Sequence, residues 1–285
     1  MQRKEMVLKA CLQRATLEEQ KALLRFLPEE ERQILEGLPV RETEPESWEM
    51  DGALQRVHWS WFLEPIKAYP ARDQKLFLSV LDPHSNEQLR ATLGVKTAKE
   101  SLTKLGKAFL QKELLDSLQE EHPILPPSFL PRSPLNILTT LGKKDLIRLI
   151  NLLSLYDLCA ELRHIVETKT LKKIYKLLGS DERTALKTIS SEMPDGHLSA
   201  RMGLDRNWDG TKESLHVLLH RKGLNRLGIA LSGQDPDLIW IICHHLDIGR
   251  GRALLKLTGK ESVTGLSDIA IQQVIDSVHL LTRTT

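Results

Sequence analysis

Histidine pairs are the residues of this sequence whose spacing comes nearest to a metal or catalytic site. His216 and His220 are four residues apart on a predicted helix, a spacing at which two imidazoles can ligate zinc, and His244-His245 offer a third ligand. Position 217 is valine, where a His-Glu-x-x-His site has its general base. Solvated or hydrogen-bonded histidines explain the same spacing. A metal-dependent hydrolase is therefore an alternative, and we expect a non-enzymatic protein with no catalytic residue, metal or cofactor.

Glycines in a second short motif, Gly249-Arg250-Gly251, are of the kind that cradle phosphate groups. The motif lacks the lysine-serine ending of a phosphate-binding loop and the strand that precedes such a loop. A tight entry into a helix capped by Asp247 explains it. In the functional alternative, Asp247, Arg250 and Arg252 form a polar contact surface for a partner.

Basic residues cluster between positions 163 and 176. They are Arg163, His164, Lys169, Lys172, Lys173 and Lys176. Residues 140–187 carry a local charge of +4, diluted by acids such as Glu161 and Glu167, whereas residues 1–51 carry −4. The stretch is open to three interpretations: a solvated helix face, a docking surface for an acidic partner such as the acidic N-terminal unit itself, or a nucleic-acid-binding surface.

Composition limits the function classes. The 285 residues carry a formal net charge of only +2, so any site for a polyanion must be local. Three cysteines without a CxxC spacing indicate neither a disulfide framework nor a thiolate zinc site, and Cys159 and Cys243 are predicted to be small core residues. No stretch reaches the roughly 18 apolar residues of a membrane span. We therefore expect a cytoplasmic protein without a cleaved signal.

The elements that must position these residues are helical. Apolar residues recur at spacings of three and four, as in Leu146, Leu149, Ile150 and Leu153, and strand alternation is scarce. We predict an all-α, armadillo-like or superhelical stack. Its predicted units are an N-terminal helical unit at 1–45, a middle unit at 46–122, a proline-rich linker at 123–135, a helical unit at 136–195 and a C-terminal domain at 196–285.

Several local signals place helices within these units. Helices at 73–81 and 86–93 are predicted on either side of Asp82-Pro83-His84, the second ending at Gly94. Further helices are predicted at 143–153, 155–166, 170–178, 181–191, 212–220, 224–231, 237–245 and 248–257, and a last one ends at residue 281. Trp59, Trp61 and Phe62 are predicted to anchor a core, with a binding surface as the alternative, and Trp240 is also predicted to be core.

Between residues 212 and 281, the order of helices and turns resembles the C-terminal domain of FliG, the flagellar rotor switch protein family. Residues 224–233 resemble the family's helix ending in Ala-Leu-Lys-Gly, with Ser232 in place of lysine. Leu218-Leu219 matches a Leu-Leu pair, and Ser267-Asp268 falls where the family's last helix begins with Ser-Asp. A shorter echo at 75–83 is similar to a Leu-Ser-x-Leu-Asp-Pro turn of the family's middle domain. The family's Glu-His-Pro-Gln motif is absent, because Ile124 follows Glu121-His122-Pro123.

The helix that presents charges to the stator departs from the family. Where the family has roughly Asp-Asp-Arg-Ser-Ile-Gln, residues 211–216 read Thr-Lys-Glu-Ser-Leu-His, so the charge signs are not kept. The resemblance therefore implies a FliG-like adaptor of a type III secretion injectisome rather than a torque-generating rotor subunit, with a flagellar basal body as the related setting.

Such an adaptor would lie at the cytoplasmic face of the inner membrane. It would link an inner-membrane ring protein to cytoplasmic sorting-platform or C-ring proteins, with homo-oligomerisation in a ring. The residues expected to contact partners are Leu224, Leu227, Leu231, Leu238, Lys172, Lys173, Arg250 and Arg252. The alternative function is a nucleic-acid-binding regulator that uses the basic helices around 163–176.

Overall fold

The computed structural model describes residues 8–9, 12, 15–37, 50–96, 102–119, 124, 127–192, 202–259 and 266–283. Every regular element in these ranges is a helix, so the prediction of an all-α chain is confirmed. The buried apolar side chains fall mainly into two clusters, one within residues 53–115 and the other within residues 130–281.

The N-terminal hairpin, residues 15–37, contains α1 (Leu17–Leu24) and α2 (Glu29–Gly37). Thr16 and Glu19 form a reciprocal capping box at the start of α1: the backbone N–H of Thr16 donates to Glu19 Oε2 (2.8 Å), and the backbone N–H of Glu19 donates to Thr16 Oγ1 (3.4 Å). Acidic side chains fill the first turn of α2, where they complement the helix dipole.

The middle unit is built from short helices around the first cluster. They are α3 (Met50–Arg56), a 3₁₀ turn (Trp59–Phe62), α4 (Leu63–Lys67), α5 (Ala71–Ser79), α6 (Pro83–Leu93) and α7 (Lys104–Asp116). Asp82 caps α6 by accepting hydrogen bonds from two backbone amides, and Gly94 ends it in the left-handed region at φ 68°. Trp61 and Phe62 are buried in the cluster, as predicted for core anchors.

From residue 127 on, the proline-rich segment predicted as a linker packs on the C-terminal core. It contains 3₁₀ turns at Pro127–Phe129 and Pro134–Thr140. Leu130 and Leu135 are buried in the second cluster, and the hydroxyl of Ser133 donates to Gln234 Oε1 (2.7 Å). Prolines interleaved with leucines therefore anchor this segment through their apolar neighbours.

The C-terminal body surrounds one long central helix. Its helices are α8 (Lys143–Leu162), α9 (Thr168–Leu177), α10 (Ser180–Glu192), α11 (Leu204–Asn207), α12 (Lys212–Leu231), α13 (Pro236–His245), α14 (Ile248–Thr258) and α15 (Leu266–Arg283). Helix α8 packs against α10, α12 and α15. One apolar cluster runs from Leu130 to Leu281 and has members on both sides of the boundary predicted at residues 195 and 196, which themselves lie outside the described residues.

Two of these helices are longer than the sequence indicates. Single helices α8 and α12 replace the predicted pairs 143–153 with 155–166 and 212–220 with 224–231. Gly223 stands in the middle of α12 because a Cβ there would lie 1.8 Å from the carbonyl oxygen of Ile150 on α8. The glycine marks a close approach of two helices and not a turn.

Candidate partner-binding surface

Helix α9 presents a row of lysines to solvent. Ile174 is buried in the second cluster, whereas Lys169, Lys172, Lys173 and Lys176 are all exposed. The helix contains no acidic residue. Among the described residues, no carboxylate forms an ion pair with any of these four lysines. The basic stretch seen in the sequence therefore becomes an exposed cationic face.

Two of the acidic residues that lower the local charge of residues 140–187 are buried and so do not lie on the surface beside α9. Glu161 is buried, and its two carboxylate oxygens accept hydrogen bonds from the backbone amides of Met202 (2.9 Å) and Leu204 (3.1 Å). Asp157 is buried in an ion pair with Arg226. The expectation that Glu161 dilutes the basic face is therefore wrong, because this carboxylate serves as an internal anchor for the backbone.

A neighbouring turn holds Lys173 in place. Its Nζ atom lies 5.3 Å from the ring centroid of Trp208, within the range of a cation–π interaction. The indole N–H of Trp208 donates to the carbonyl oxygen of Thr211 (2.8 Å), which fixes the ring. Gly210, at φ 87°, leaves room for the ammonium group, since a Cβ there would lie 2.4 Å from Nζ.

Apolar side chains accompany the lysines. Val166 is 95% exposed just before α9, and the ring of Tyr175 is 41% exposed on the helix. We call the set of Val166, Lys169, Lys172, Lys173, Tyr175 and Lys176 the α9 surface. Protein interfaces commonly combine such features, because aromatic and apolar groups supply burial while charges steer association.

Arg250 belongs to a hydrogen-bonded chain at the start of α14. Its Nε–H donates to His220 Nε2 (2.8 Å), and its guanidinium also pairs with Asp247, the N-cap of the helix. Because His220 Nε2 accepts, its Nδ1 carries the proton and donates to Asn151 Oδ1 (3.0 Å). Arg252, by contrast, is exposed.

These hydrogen bonds determine the protonation state of His220 and whether it can bind a metal. Burial, together with the positive charge of Arg250, lowers the pKa of His220 and keeps its imidazole neutral. Nδ1 carries a proton and the lone pair of Nε2 accepts from Arg250, so neither ring nitrogen is available to a metal. His216 instead lies beside Glu182, with 3.8 Å between Nδ1 and Oε1. In the described ranges, no three His, Cys, Asp or Glu side chains are grouped to hold a metal ion.

The leucines expected to contact a partner lie inside the protein. Leu224, Leu227, Leu231 and Leu238 all belong to the second cluster and are at most 7% exposed. The periodicity identified a real apolar face, but that face packs against this chain's own helices. Of the residues expected to contact a partner, Lys172, Lys173 and Arg252 are the exposed ones.

The rings of Trp61, Trp240 and His244 connect the two clusters, and we call this contact the aromatic joint. The imidazole of His244 lies between the indoles of Trp61 and Trp240, with each pair of ring centroids 4.0 Å apart. The indole N–H of Trp61 donates to the carbonyl oxygen of Leu246 (2.8 Å), and the backbone N–H of Ile248 donates to Ser60 Oγ (2.9 Å). Trp240 packs against both clusters instead of belonging to one core.

Burial keeps the histidines of this joint uncharged. His244 is 5% exposed, and burial lowers its pKa to about 4 even though its Nδ1 donates to the carbonyl oxygen of Trp240. His245 is 8% exposed, and burial, helped by the positive charges of Lys143 and Arg56, also lowers its pKa to about 4. The joint is therefore built for neutral imidazoles.

A cavity of about 310 Å³ lies between α8, α10 and α15. Its lining mixes one cation, two acids, hydroxyls and leucines: Arg148, Asn151, Leu152, Asp181, Glu182, Thr184, Ala185, Thr188, Leu280 and Leu281. No spacing in the sequence points to it, since α15 lies far along the chain from α8 and α10. The mixed lining selects no single class of ligand.

No helix in the described part of the chain combines the length and the hydropathy that crossing a membrane requires. No protein-family model, no curated protein and no solved structure matches the chain.

Proposed function

We propose that the protein is a non-enzymatic helical adaptor that binds an acidic protein partner through the α9 surface. The observation that carries this proposal is the row of exposed lysines on α9, which form no ion pair with any described carboxylate and are flanked by exposed Val166 and Tyr175. Lysines alone would suit any polyanion, but the two apolar side chains favour a protein, because burying them contributes to association.

The setting we propose is the cytoplasmic face of a type III secretion or flagellar basal body. Its support is the resemblance of residues 212–281 to the FliG C-terminal domain, within an armadillo-like stack. Within residues 212–281, Gly233 of the matched segment turns the chain after α12 at φ 78°, and Asp247 caps α14. In this setting the partners are inner-membrane ring and sorting-platform proteins.

The experiment is an affinity purification of the tagged protein from its native cells in mild detergent, followed by mass spectrometry. The test variant is Lys172→Glu with Lys176→Glu, which reverses the α9 charge without touching the packed Lys173. The control is Lys104→Glu with Lys256→Glu, which makes the same change in net charge at two exposed lysines elsewhere. We expect ring and platform proteins with the parent and the control, and their loss with the test variant.

Two other results would count against the proposal. Equal recovery with the parent and the test variant would remove the α9 surface from the function. Recovery of nucleic acid without ring components would favour a nucleic-acid-binding regulator. In that case the protein should bind a labelled duplex, as measured by fluorescence anisotropy, and this binding should weaken steeply from low to moderate salt.

A further inference from the structure

The N-terminal hairpin exposes apolar side chains that no other described residue covers. Leu17, Leu23, Phe26 and Ile34 are 67%, 51%, 87% and 46% exposed. Within residues 15–37, Leu35 is the one apolar side chain that is buried. A unit this small has too little core to be stable by itself, so its exposed side chains mark a surface that a partner covers.

This hairpin is also acidic. Residues 15–37 contain six glutamates against three lysines or arginines. Three of the glutamates form the first turn of α2, close in sequence to Phe26. Arg32 is already paired with Glu29 (3.3 Å), which leaves Glu30 and Glu31 exposed beside the apolar residues. The hairpin therefore has the opposite charge to the α9 surface and a similar mixture of charged and apolar groups.

We propose that the N-terminal hairpin of one copy binds the α9 surface of a second copy, so that the protein associates head to tail. This inference rests on the proposed function in one respect, that the α9 surface is a binding surface, and it names the occupant. Glutamates would meet the lysines, while Phe26 and its apolar neighbours would cover Val166 and Tyr175. Among the described residues of a single copy, both surfaces are exposed and neither covers the other. Such a contact is heterologous: each copy offers one free hairpin and one free α9 surface to further copies.

Sedimentation velocity of the full-length chain across a range of concentrations tests this proposal. We expect the weight-average mass of the parent to rise with concentration, and the association to weaken at high salt. Lys172→Glu with Lys176→Glu reverses one surface, and Glu30→Lys with Glu31→Lys reverses the other. Each variant alone is expected to associate about tenfold more weakly than the parent, because like charges then face each other.

A mixture of the two variants is the decisive sample. The unchanged hairpin of the first variant matches the unchanged α9 surface of the second, and their two reversed surfaces are also complementary. The equimolar mixture should therefore recover association that neither variant shows alone. A matched apolar pair completes the design: Phe26→Ala should weaken association, whereas Val217→Ala, at a side chain that is 70% exposed on α12, should not.

A parent that stays monomeric at every concentration would overturn the proposal, as would a mixture that fails to associate. Neither result would touch the proposed function, which is judged by recovery of ring and platform proteins with the same α9 variant. Conversely, head-to-tail association together with unchanged recovery of those proteins would support this inference and refute the proposed function.

Discussion

Replacing Gly223 by alanine tests the close approach of α8 and α12, on which the C-terminal body depends. An added Cβ would lie 1.8 Å from the carbonyl oxygen of Ile150 and 2.8 Å from its carbonyl carbon. These are backbone atoms of a buried helix, so they cannot swing away as a side chain can. The two helices would have to separate by more than 1 Å at their crossing, since real Cβ atoms essentially never approach closer than 3.0 Å.

The magnitude follows from two opposing terms. Alanine is favoured over glycine inside a helix by about 1 kcal/mol. Overpacking a tight interior typically costs about 1–3 kcal/mol, and a gap of about 0.5–1 Å forfeits a quarter to a half of each dispersion contact along the interface. Because the clash here is with backbone, we expect the steric cost to exceed the upper end of that range. The free energy of unfolding should therefore fall by about 3 kcal/mol net.

Urea unfolding followed by far-ultraviolet circular dichroism measures this loss. Gly52→Ala is the matched control, because Gly52 lies in helix α3 with nothing within 4 Å of an added Cβ. It should leave stability unchanged or raise it by up to about 1 kcal/mol. If Gly223→Ala and Gly52→Ala unfolded at the same urea concentration, α8 and α12 would not be as close as described, and the reasoning would fail.

Three further changes probe the joint and the buried acid. Lowering the pH from 6.5 to 4 should destabilise the protein, because His244 and His245 bind protons near pH 6.5 in the unfolded chain but have a pKa of about 4 in the folded state. By pH 4 the free energy of unfolding should have fallen by about 3 kcal/mol for each histidine. Melting temperatures measured across that pH range test this. Trp61→Phe should lower the free energy of unfolding by about 2 kcal/mol, because it leaves the carbonyl of Leu246 unpaired. A variant as stable as the parent would show that this hydrogen bond does not stabilise the aromatic joint. Glu161→Gln should cost about 2–3 kcal/mol in urea unfolding, because an amide can accept from only one of the two backbone donors that the carboxylate satisfies.

Local signals in the sequence predicted the helix ends well. Gly94 and Asp247 stand at the predicted boundaries because a left-handed glycine or a capping side chain acts within a few residues, whereas α6 begins at Pro83, before the predicted start at residue 86, because Asp82 caps it. The two longest helices were each predicted as two, since a polar or glycine residue interrupts the apolar pattern. Ser154 is accommodated by donating its hydroxyl to the carbonyl oxygen of Asn151 (2.6 Å), and Gly223 by the approach of α8.

Long-range contacts set the features that the sequence could not reveal. The leucines of α12 and α13 were correctly placed on apolar faces, but periodicity does not say whether such a face meets this chain or another. The proline-rich segment gave the same difficulty, because Leu130 and Leu135 are held by a core formed from distant helices. The sandwich of His244 between two indoles joins residues about 180 positions apart, and no spacing rule reaches that far.

The charge of the α9 surface shows how burial changes a charge that is counted along the chain. Over residues 140–187, ten lysines and arginines are offset by six aspartates and glutamates, which leaves four excess positive charges. The fold takes Asp157 and Glu161 out of that sum at the surface, by pairing the first with Arg226 and giving the second two backbone amides. The lysines of α9 remain exposed, so the potential over the helix is more positive than the linear count indicates. Electrostatic steering depends on that local potential and not on the net charge of +2, so a nearly neutral chain can still present a cationic helix face.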